Sequence, residues 1–431
     1  MPDEPAADVI SGGHDPDRRP AGPWRLLVGA VTVVLIAGWI AAHLFLGVSG
    51  HPPHHQVPGS PSAAALVAPS MLHGTPWRPA SAPSTMLVLG GEELRLLNVP
   101  RQGPASLTGV PLGAGAARYP LGPDPAVQQI TAAAGGVVVL VFGHGSGGLP
   151  DIGDVLFVPV SASGVGHPRL IARANYLALA PDQHDIWVEQ AGPPWGNGPV
   201  SSPAWLVGED GHRLSPAHAL GNRVLVAATT RGLLVKSPDQ KLALVDPVNG
   251  RPERSGIPGN AIIAGADAGH VAWQSGSCGL GCPLHVTDLG SGPDRQVALP
   301  PYTAVNPDDT PDFDPAGQRF ALPLDTINRQ GADAGTYVYV ADISSGPLVR
   351  VPGPPVPVAV LPAVPGAFPS GSSDVVSARW AADGPGLWIV ATDGLYFQVA
   401  YWSGHGPLHV LPPQGGLAYK FDVPGTGAPG P

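Results

Sequence analysis

A short unit recurs along this chain: an alternating apolar strand, then Asp, then a turn that a glycine closes. It is clearest in LALVDPVNG (242–250), LHVTDLGSG (284–292) and VYVADISSG (338–346). The Asp of such a unit can accept a hydrogen bond from the backbone two residues on, and the glycine takes the positive φ that ends the turn. Each copy therefore predicts a β-strand followed by a tight turn, and the recurrence predicts an all-β repeat fold.

Four degenerate copies extend the repeat over most of the chain: LRLLNVPRQG (94–103), LFVPVSASG (156–164), WLVGEDG (205–211) and FQVAYWSG (397–404). Neighbouring copies lie about 50 residues apart, which is the length of a four-stranded propeller blade. Seven such units predict a seven-bladed β-propeller. The closing glycines are Gly103, Gly164, Gly211, Gly250, Gly292, Gly346 and Gly404.

The front halves of three units read as strand, Asp-containing turn, strand: LALAPDQHDIWV (177–188), DFDPAGQRFALP (312–323) and ARWAADGPGLWIV (378–390). They resemble the blade motif of TolB-like and WD40-like propellers, in which an apolar-Ser-Pro-Asp-Gly turn precedes an apolar strand. The match is partial, since the first copy lacks the Gly, the second permutes the order and the third lacks the Pro. The resemblance covers residues 86–424 and implies the fold alone, because propellers host unrelated functions.

The first unit offers only three strands, whereas a spare strand-like segment, LAYKFDV (417–423), follows the completed seventh unit. In chain order this segment falls where the first blade lacks its innermost strand. We predict that it pairs there, closes the ring and removes an exposed sheet edge. A plain C-terminal tail is the alternative.

Near the N-terminus, the run from Leu26 to Val48 has twenty-three residues without a formal charge. As a helix it would be about 35 Å long, enough to cross a hydrocarbon core of about 30 Å. A buried core helix would be shorter and would show a polar face. A cleaved signal peptide would have an apolar region of only about 7–15 residues. We therefore predict a single uncleaved transmembrane anchor.

Basic residues on one side of this run give its orientation. Arg18, Arg19 and Arg25 precede it, and the next Lys or Arg is Arg78. The positive-inside rule then keeps the N-terminus in the cytoplasm. The prediction is a single-pass protein of the cytoplasmic (inner) membrane with most of its chain extracytoplasmic.

These features divide the chain into five segments. We predict a disordered cytoplasmic tail at 1–23, the transmembrane helix at 24–49 and a Pro-rich stalk at 50–84. The extracytoplasmic β-propeller would span 85–424, and 425–431 would be a flexible C-terminal tail.

Composition supports a folded domain and restricts its partners. The chain has 59 Gly and 55 Pro, but 43% of its residues are hydrophobic and ten are Trp, so Gly and Pro fit turns between strands. A net charge of −10 with only 22 Lys and Arg leaves no basic stripe, which excludes nucleic acid as a partner. Three Lys against nineteen Arg is a bias typical of a GC-rich genome such as that of an actinobacterium.

Two cysteines, Cys278 and Cys282, are the only ones in the chain. Outside the cytoplasm such a pair predicts a disulfide, here one that shapes a small loop. A redox role would require a thioredoxin-like setting, and zinc would require further ligands besides the nearby His285. We predict no metal and no cofactor.

An acidic stretch, NPDDTPDFDP (306–315), contains four Asp residues. Clustered oxygen ligands can bind calcium, but the stretch lacks the Gly and the distal Glu of an EF-hand loop. A solvated loop between blades is the other interpretation, and the sequence leaves calcium binding open.

Long connections between the second and third strands recur in several units, at 143–154, 190–203, 278–282 and 325–335. Because they occupy the same place in each blade, a ring would present them on one face, and long loops on a rigid scaffold usually carry function. Unconstrained surface loops would look the same. The candidate contact residues on these connections are Asp151, Asp154, Trp195, Asn197, Asn328 and Arg329.

Enzyme signatures are mostly missing from the sequence. It contains no G-x-S-x-G elbow, no H-E-x-x-H and no phosphate-binding G-x-x-x-x-G-K. We therefore expect a binding scaffold for a protein, a peptide or an envelope glycan. The alternative is a propeller hydrolase or lyase acting on cell-envelope polymer. That alternative requires two carboxylates, or a carboxylate and a His, close together in the central channel.

Overall fold

The computed structural model divides the chain into two units, Met1–Leu66 and Val67–Pro431. All described residues belong to the second unit. The predicted cytoplasmic tail, the predicted anchor and the predicted C-terminal tail lie outside them, and no described helix has the length and apolar character to cross a bilayer. The described residues are 70–78, 84–90, 93–100, 102–110, 126–142, 152–161, 164–190, 202–239, 241–253, 255–276, 280–290, 294–305, 312–327, 333–344, 346–356, 375–381, 386–392, 396–415, 418 and 420–424.

Seven β-sheets, called blades 1 to 7 here, contain the 32 strands of the described residues. Blade 1 consists of Lys420–Asp422, Thr85–Gly90, Leu94–Val99 and Ser106–Gly109. Blade 2 consists of Ala126–Ala133, Gly136–Phe142 and Gly153–Ser161, with Gly164–Val165 and Arg169–Ala174 both paired to the third strand. Blade 3 consists of Tyr176–Leu179, Ile186–Glu189, Pro203–Val207 and His218–Ala219.

The other four blades follow in chain order. Blade 4 consists of Val224–Thr229, Gly232–Lys236, Leu242–Val245 and Pro252–Glu253, and blade 5 of Ala261–Ala266, His270–Ser275, Leu284–Asp288 and Arg295–Val297. In blade 6, Thr303–Val305 and Asp312–Phe313 both pair with Arg319–Ile327, which is followed by Asp333–Asp342 and Val349–Arg350. Blade 7 consists of Val375–Trp380, Leu387–Thr392, Tyr396–Trp402, His409–Val410 and Thr75–Pro76, with Gln414–Gly415 also on its third strand.

The blades form a closed ring. Seven apolar clusters of described residues each join two consecutive blades, and the series includes blades 7 and 1. Inner strands lie against one another between blades 1 and 2, 3 and 4, 5 and 6, 6 and 7, and 7 and 1. They surround the axis of the ring, which is called the central channel here. The predicted seven-bladed propeller is confirmed.

Both faces of a blade are covered by its neighbours, and this explains the short apolar runs in the sequence. Gly136–Phe142 is buried at every position except the last. Burial of this kind stabilises the fold by about 25 cal/mol per Å² of apolar surface removed from water. A strand covered on both faces therefore does not alternate between apolar and polar residues.

The C-terminal strand closes the ring in blade 1. Phe421 pairs with Leu89, and the residues on either side of Phe421 pair with Val88 and Gly90 in antiparallel register. Phe421 and Leu89 are each 1% exposed within the core between blades 7 and 1. The prediction that the segment after the seventh unit supplies the innermost strand of the first blade is confirmed.

The predicted turns are also present. Asp246, Asp288 and Asp342 each accept a hydrogen bond from the backbone N–H two residues on, at 2.7, 2.7 and 2.6 Å. Gly346 closes its turn without a positive φ, and Gly292 lies outside the described residues. The glycines that do adopt a positive φ are Gly103 (96°), Gly164 (126°), Gly211 (85°), Gly250 (68°) and Gly404 (96°).

Residues 70–78 fall within the segment expected to be a stalk, yet they lie along the outer part of blade 7. Thr75–Pro76 pairs in parallel with His409–Val410. The side-chain oxygen of Gln398 accepts hydrogen bonds from the backbone N–H groups of Met71 and Leu72, at 2.8 and 2.7 Å. These contacts make the segment part of the propeller, so the expected stalk is shorter than 50–84.

Candidate functional site

The innermost strand of a blade has one edge without a partner strand, and its N–H groups need acceptors. Carboxylates from the preceding blade supply three of them. Asp422 of blade 1 accepts from Ala132 of blade 2 at 2.7 Å, and Asp312 of blade 6 accepts from Trp380 of blade 7, also at 2.7 Å. Glu189 of blade 3 accepts from Leu225 of blade 4 in the same way. These acidic residues therefore connect one blade to the next by hydrogen bonds, Asp422 and Asp312 from inner strands and Glu189 from a second strand.

Asp312 is a channel carboxyl whose pKa lies far above its ordinary value. Burial raises the pKa of Asp312 to about 7; the charge of Arg379 opposes this rise, and the charge of Asp422 adds to it. One oxygen of Asp312 is fixed by Trp380, whose indole N–H also donates to the Asp312 backbone carbonyl at 3.1 Å. A carboxyl with this pKa exchanges its proton near neutral pH, as a general acid or base does.

Asp422 is the second channel carboxyl whose pKa is raised. Burial raises the pKa of Asp422, while the charge of Arg379 and hydrogen bonds from the backbone of Ala132 and Val423 oppose the rise. The two N–H groups donate to different carboxylate oxygens, each at 2.7 Å. Hydrogen bonds to both oxygens favour the anion. The two channel carboxyls therefore have different environments.

Arg379 lies on the innermost strand of blade 7, between the blades that carry Asp312 and Asp422. Its charge opposes the rise in the pKa of both carboxyls, so one guanidinium lies within electrostatic reach of both. It also donates to the Ala378 carbonyl at 3.0 Å. Asp312, Arg379 and Asp422 are called the channel triad here. Asp312 and Arg379 lie near the ends of inner strands that lead into the turn to the second strand, and Asp422 ends the C-terminal inner strand at the same end of its blade.

A pair formed by His270 and Asp267 lies near the same end of blade 5. Nδ1 of His270 is 3.2 Å from both carboxylate oxygens of Asp267, and this hydrogen bonding raises the pKa of His270. Its ring stacks on Phe313 of blade 6, with the ring centroids 5.6 Å apart. The charge of Asp267 also raises the pKa of Asp312, which links the pair electrostatically to the channel triad.

No protein-family model and no curated protein matches this chain. Among solved structures, it is similar to a prolyl endopeptidase at 10% identity and a TM-score of 0.46, covering 78% of this chain and 51% of that one. The β-propeller domain of the Trilobed protease from Pyrococcus furiosus, described as having an open velcro topology, matches at 8% identity and a TM-score of 0.40, covering 66% and 82%. The periplasmic gluconolactonase PpgL from Pseudomonas aeruginosa matches at 14% identity and a TM-score of 0.40, covering 80% and 99%.

The chain spans about half the length of the prolyl endopeptidase. All three TM-scores are below 0.5. The fold assignment therefore rests on the sheets and cores of this chain, and the activities of these proteins carry no argument about its own.

The connections between the second and third strands are long in blades 2, 3 and 5, but not in blade 6. There the two strands stay paired up to Ile327 and Asp333, so only 328–332 connects them, and the prediction of a long connection at 325–335 is wrong. The connections between second and third strands leave the blades at the end opposite the channel triad. We call this end the long-loop face. Asp151, Trp195, Asn197, Asn328 and Arg329 lie outside the described residues, so their roles stay predictions.

Asp154, the one described candidate, differs from the expectation of an exposed loop contact. It belongs to the strand Gly153–Ser161, is 5% exposed, and its carboxylate accepts a hydrogen bond from Nε of Arg173 at 3.0 Å. An acidic residue at a buried strand position needs such a partner. The ion pair with Arg173 of the neighbouring strand is therefore a sufficient reason for this buried carboxylate, and no bound ligand is needed to account for it.

The expected disulfide and the acidic stretch are only partly described. Cys278 lies outside the described residues, so its pairing with Cys282 stays a prediction. Asp308 and Asp309 also lie outside them, and within the described part of the chain no three His, Cys, Asp or Glu residues gather as metal ligands. Calcium binding at 306–315 stays open.

Sequence reasoning missed the channel triad. In the sequence Asp312 belongs to an acidic stretch and a turn motif, and Asp422 and Arg379 belong to no chemical motif. One usable signal is the prediction that 417–423 is the innermost strand of blade 1. A charged residue in an innermost strand must lie beside the channel or between blades, and either position requires a partner.

Proposed function

We propose that this propeller is a hydrolase or lyase whose reacting groups are Asp312 and Asp422, assisted by Arg379. The observation that supports this function is that Asp312 has a pKa of about 7 and that the charge of Arg379 acts on both Asp312 and Asp422. Titratable groups with such shifted pKa values are typical of acid–base sites. The alternative function requires two carboxylates in the channel, and Asp312 and Asp422 are the proposed pair.

The roles follow from the environment of each carboxyl. Protonated Asp312 donates its proton to the leaving oxygen of a glycosidic bond, and Asp422, once ionised, activates the attacking water or attacks the sugar itself. Arg379 stabilises the Asp422 anion and offers a cation to an acidic sugar. The hydrogen bonds to Trp380 and Ala132 hold both carboxylates in place before the substrate arrives.

The substrate class follows from the proposed location. If the run from Leu26 to Val48 spans the cytoplasmic membrane and the preceding arginines stay inside, the propeller faces the cell envelope. A polymer of that compartment, such as an envelope glycan, is then the proposed substrate.

The test measures the release of reducing ends from purified cell-wall polysaccharide. Asp312→Asn keeps an oxygen that accepts from Trp380 but cannot supply the proton, so turnover should fall by about 10²–10⁴-fold. Asp210→Asn, at an exposed turn of blade 3, is the matched control and should keep full activity. A wild-type protein that releases no sugar, or an Asp312→Asn variant as active as the wild type, rejects the hydrolase.

A second candidate function is binding of a protein, a peptide or a glycan at the long-loop face. It is favoured by the long connections of blades 2, 3 and 5, which leave the blades at one end. Replacing 191–200, which contains Trp195 and Asn197, by a short Gly-Ser linker should abolish capture of the partner from envelope extract and leave the unfolding midpoint unchanged. Equal capture by both proteins would contradict this function.

A further inference from the structure

A cleft opens on the long-loop face at blade 4. The connection between the second and third strands is short in this blade, only 237–241, whereas blades 3 and 5 on either side have long ones. The cleft has a volume of about 530 Å³. Its polar lining includes Asn222, Arg223, Ser237, Asp239 and Lys241.

Two basic side chains, Arg223 and Lys241, line this cleft although the protein as a whole carries a net charge of −10. Lys241 belongs to the hairpin between the second and third strands of blade 4. Arg223 comes from the segment that leads into the innermost strand. Among the described residues, no carboxylate forms an ion pair with Arg223.

The one acidic side chain of the cleft is already engaged. The Nζ atom of Lys241 is 2.7 Å from the Asp239 carboxylate, which also accepts from the hydroxyl of Ser237. The hydrogen bond from Lys241 contributes most to holding the pKa of Asp239 at about 2, so the carboxylate stays ionised at every pH of interest. Asp239 therefore fixes Lys241 at the edge of the cleft and competes with any external anion for it.

We propose that this cleft binds an anionic saccharide, with Arg223 and Lys241 holding its carboxylate or phosphate group. Asn222 and Ser237 offer hydrogen bonds to the sugar hydroxyls. The volume lies within the range of about 300–1,000 Å³ that small-ligand sites occupy. A guanidinium and an ammonium group in the lining of one cleft suit an anion, and the neutral polar groups suit the rest of a sugar.

This inference extends the second candidate function, because it gives the long-loop face a ligand class. It does not depend on the channel triad, which lies at the other end of the strands. A neutral saccharide lacks the charge that Arg223 and Lys241 would neutralise. An anionic saccharide should therefore be preferred, and the preference should weaken as salt screens the charges.

The test is titration calorimetry of the full chain with glucuronate, glucose 6-phosphate and glucose at low ionic strength. We expect the two anionic sugars to bind at least about 10-fold more tightly than glucose, a difference of about 1.4 kcal/mol. The two anionic arms distinguish a carboxylate ligand from a phosphate ligand. Equal affinity for all three sugars, or no binding of either anionic sugar, overturns the proposal.

Single substitutions at this site should change the affinity for the anionic sugar in opposite directions. Arg223→Gln and Lys241→Gln should each weaken binding of the anionic sugar by about 10-fold, whereas Asp239→Asn should strengthen it because it frees Lys241. Arg251→Gln, an exposed arginine at the opposite end of blade 4, is the matched control and should change nothing. Wild-type affinity in both cation variants overturns the proposal. Loss of turnover in Asp312→Asn with unchanged sugar binding would show that the two sites are separate.

Discussion

The carboxylate of Asp422 accepts a hydrogen bond from the backbone N–H of Ala132 at 2.7 Å, although 290 residues separate them. The bond links the C-terminal strand, which belongs to blade 1, to the innermost strand of blade 2. Asp312 and Glu189 make the same connection to blades 7 and 4. The ring is therefore held together by apolar cores between blades and by acidic side chains that accept hydrogen bonds from backbone N–H groups on the innermost strand of the next blade.

Replacing Asp422 by Ala should lower the free energy of unfolding by about 2–4 kcal/mol. The change leaves the N–H groups of Ala132 and Val423 without an acceptor and removes one of the two carboxylates near Arg379. Urea denaturation followed by tryptophan fluorescence measures the loss. Asp210→Ala, at an exposed turn, is the control and should cost less than about 1 kcal/mol. A loss in Asp422→Ala no larger than in the control would mean that these bonds do not hold the ring.

The pH dependence of stability gives a second test of the channel. The pKa of Asp312 rises from 3.8 in the unfolded chain to about 7 in the fold, so the folded state holds a proton that the unfolded state has released. Between these values the free energy of unfolding must fall as pH rises, by at most about 1.4 kcal/mol per pH unit from this one group.

Asp312→Asn should flatten this part of the profile, because Asn does not titrate. Unfolding by urea at pH 5 and pH 7 measures the difference for the wild type and the variant. Burial also raises the pKa values of Asp422 and Glu189. These two groups likewise lower the free energy of unfolding as pH rises, so some pH dependence should persist in the variant. Identical slopes in the two proteins would show that Asp312 titrates normally.

The sequence was sufficient for the repeat and for its closure, because both depend on local signals. Turn residues such as Asp246 and Asp288 act on the backbone two residues away, and an unpaired innermost position in blade 1 leaves one place for the spare strand. The contacts of Gln398 and Asp154 could not be predicted in this way. Each depends on which segment lies beside it in space, and that follows from the ring rather than from neighbours in sequence.

The same limit applies to the channel triad. Its three members come from residues 312, 379 and 422, and no spacing in the sequence brings them together. Only the order of the blades makes 6, 7 and 1 neighbours. A single wrong strand assignment would have separated Asp422 from the others, so the site could be predicted only after the ring had been closed.

Replacing Gln398 by Ala should release residues 70–78 from blade 7. Gln398 is 2% exposed, and its amide accepts from Met71 and Leu72 and donates to the Leu411 carbonyl at 3.0 Å. Loss of a buried amide with these partners should cost about 2–4 kcal/mol locally and speed amide hydrogen exchange at both N–H groups. Hydrogen exchange read by mass spectrometry on this peptide is the measurement. Gln414→Ala, in the same blade, is the control, and equal exchange in the two variants argues against the clamp.

A polar network in blade 5 provides the last prediction. The indole N–H of Trp273 donates to the Thr287 hydroxyl at 2.9 Å, and that hydroxyl donates to Asp294 at 3.1 Å. The same carboxylate lies 2.7 Å from Nδ1 of His285, whose ring stacks on Trp273 with centroids 4.0 Å apart. Thr287→Val keeps the shape of the side chain and removes its hydroxyl, so the buried indole N–H loses its acceptor. The free energy of unfolding should fall by about 1–3 kcal/mol. Thr287→Ser restores the hydroxyl but not the methyl group and should recover most of the loss in urea denaturation. If Ser were no more stable than Val, packing rather than hydrogen bonding would hold this part of the blade together.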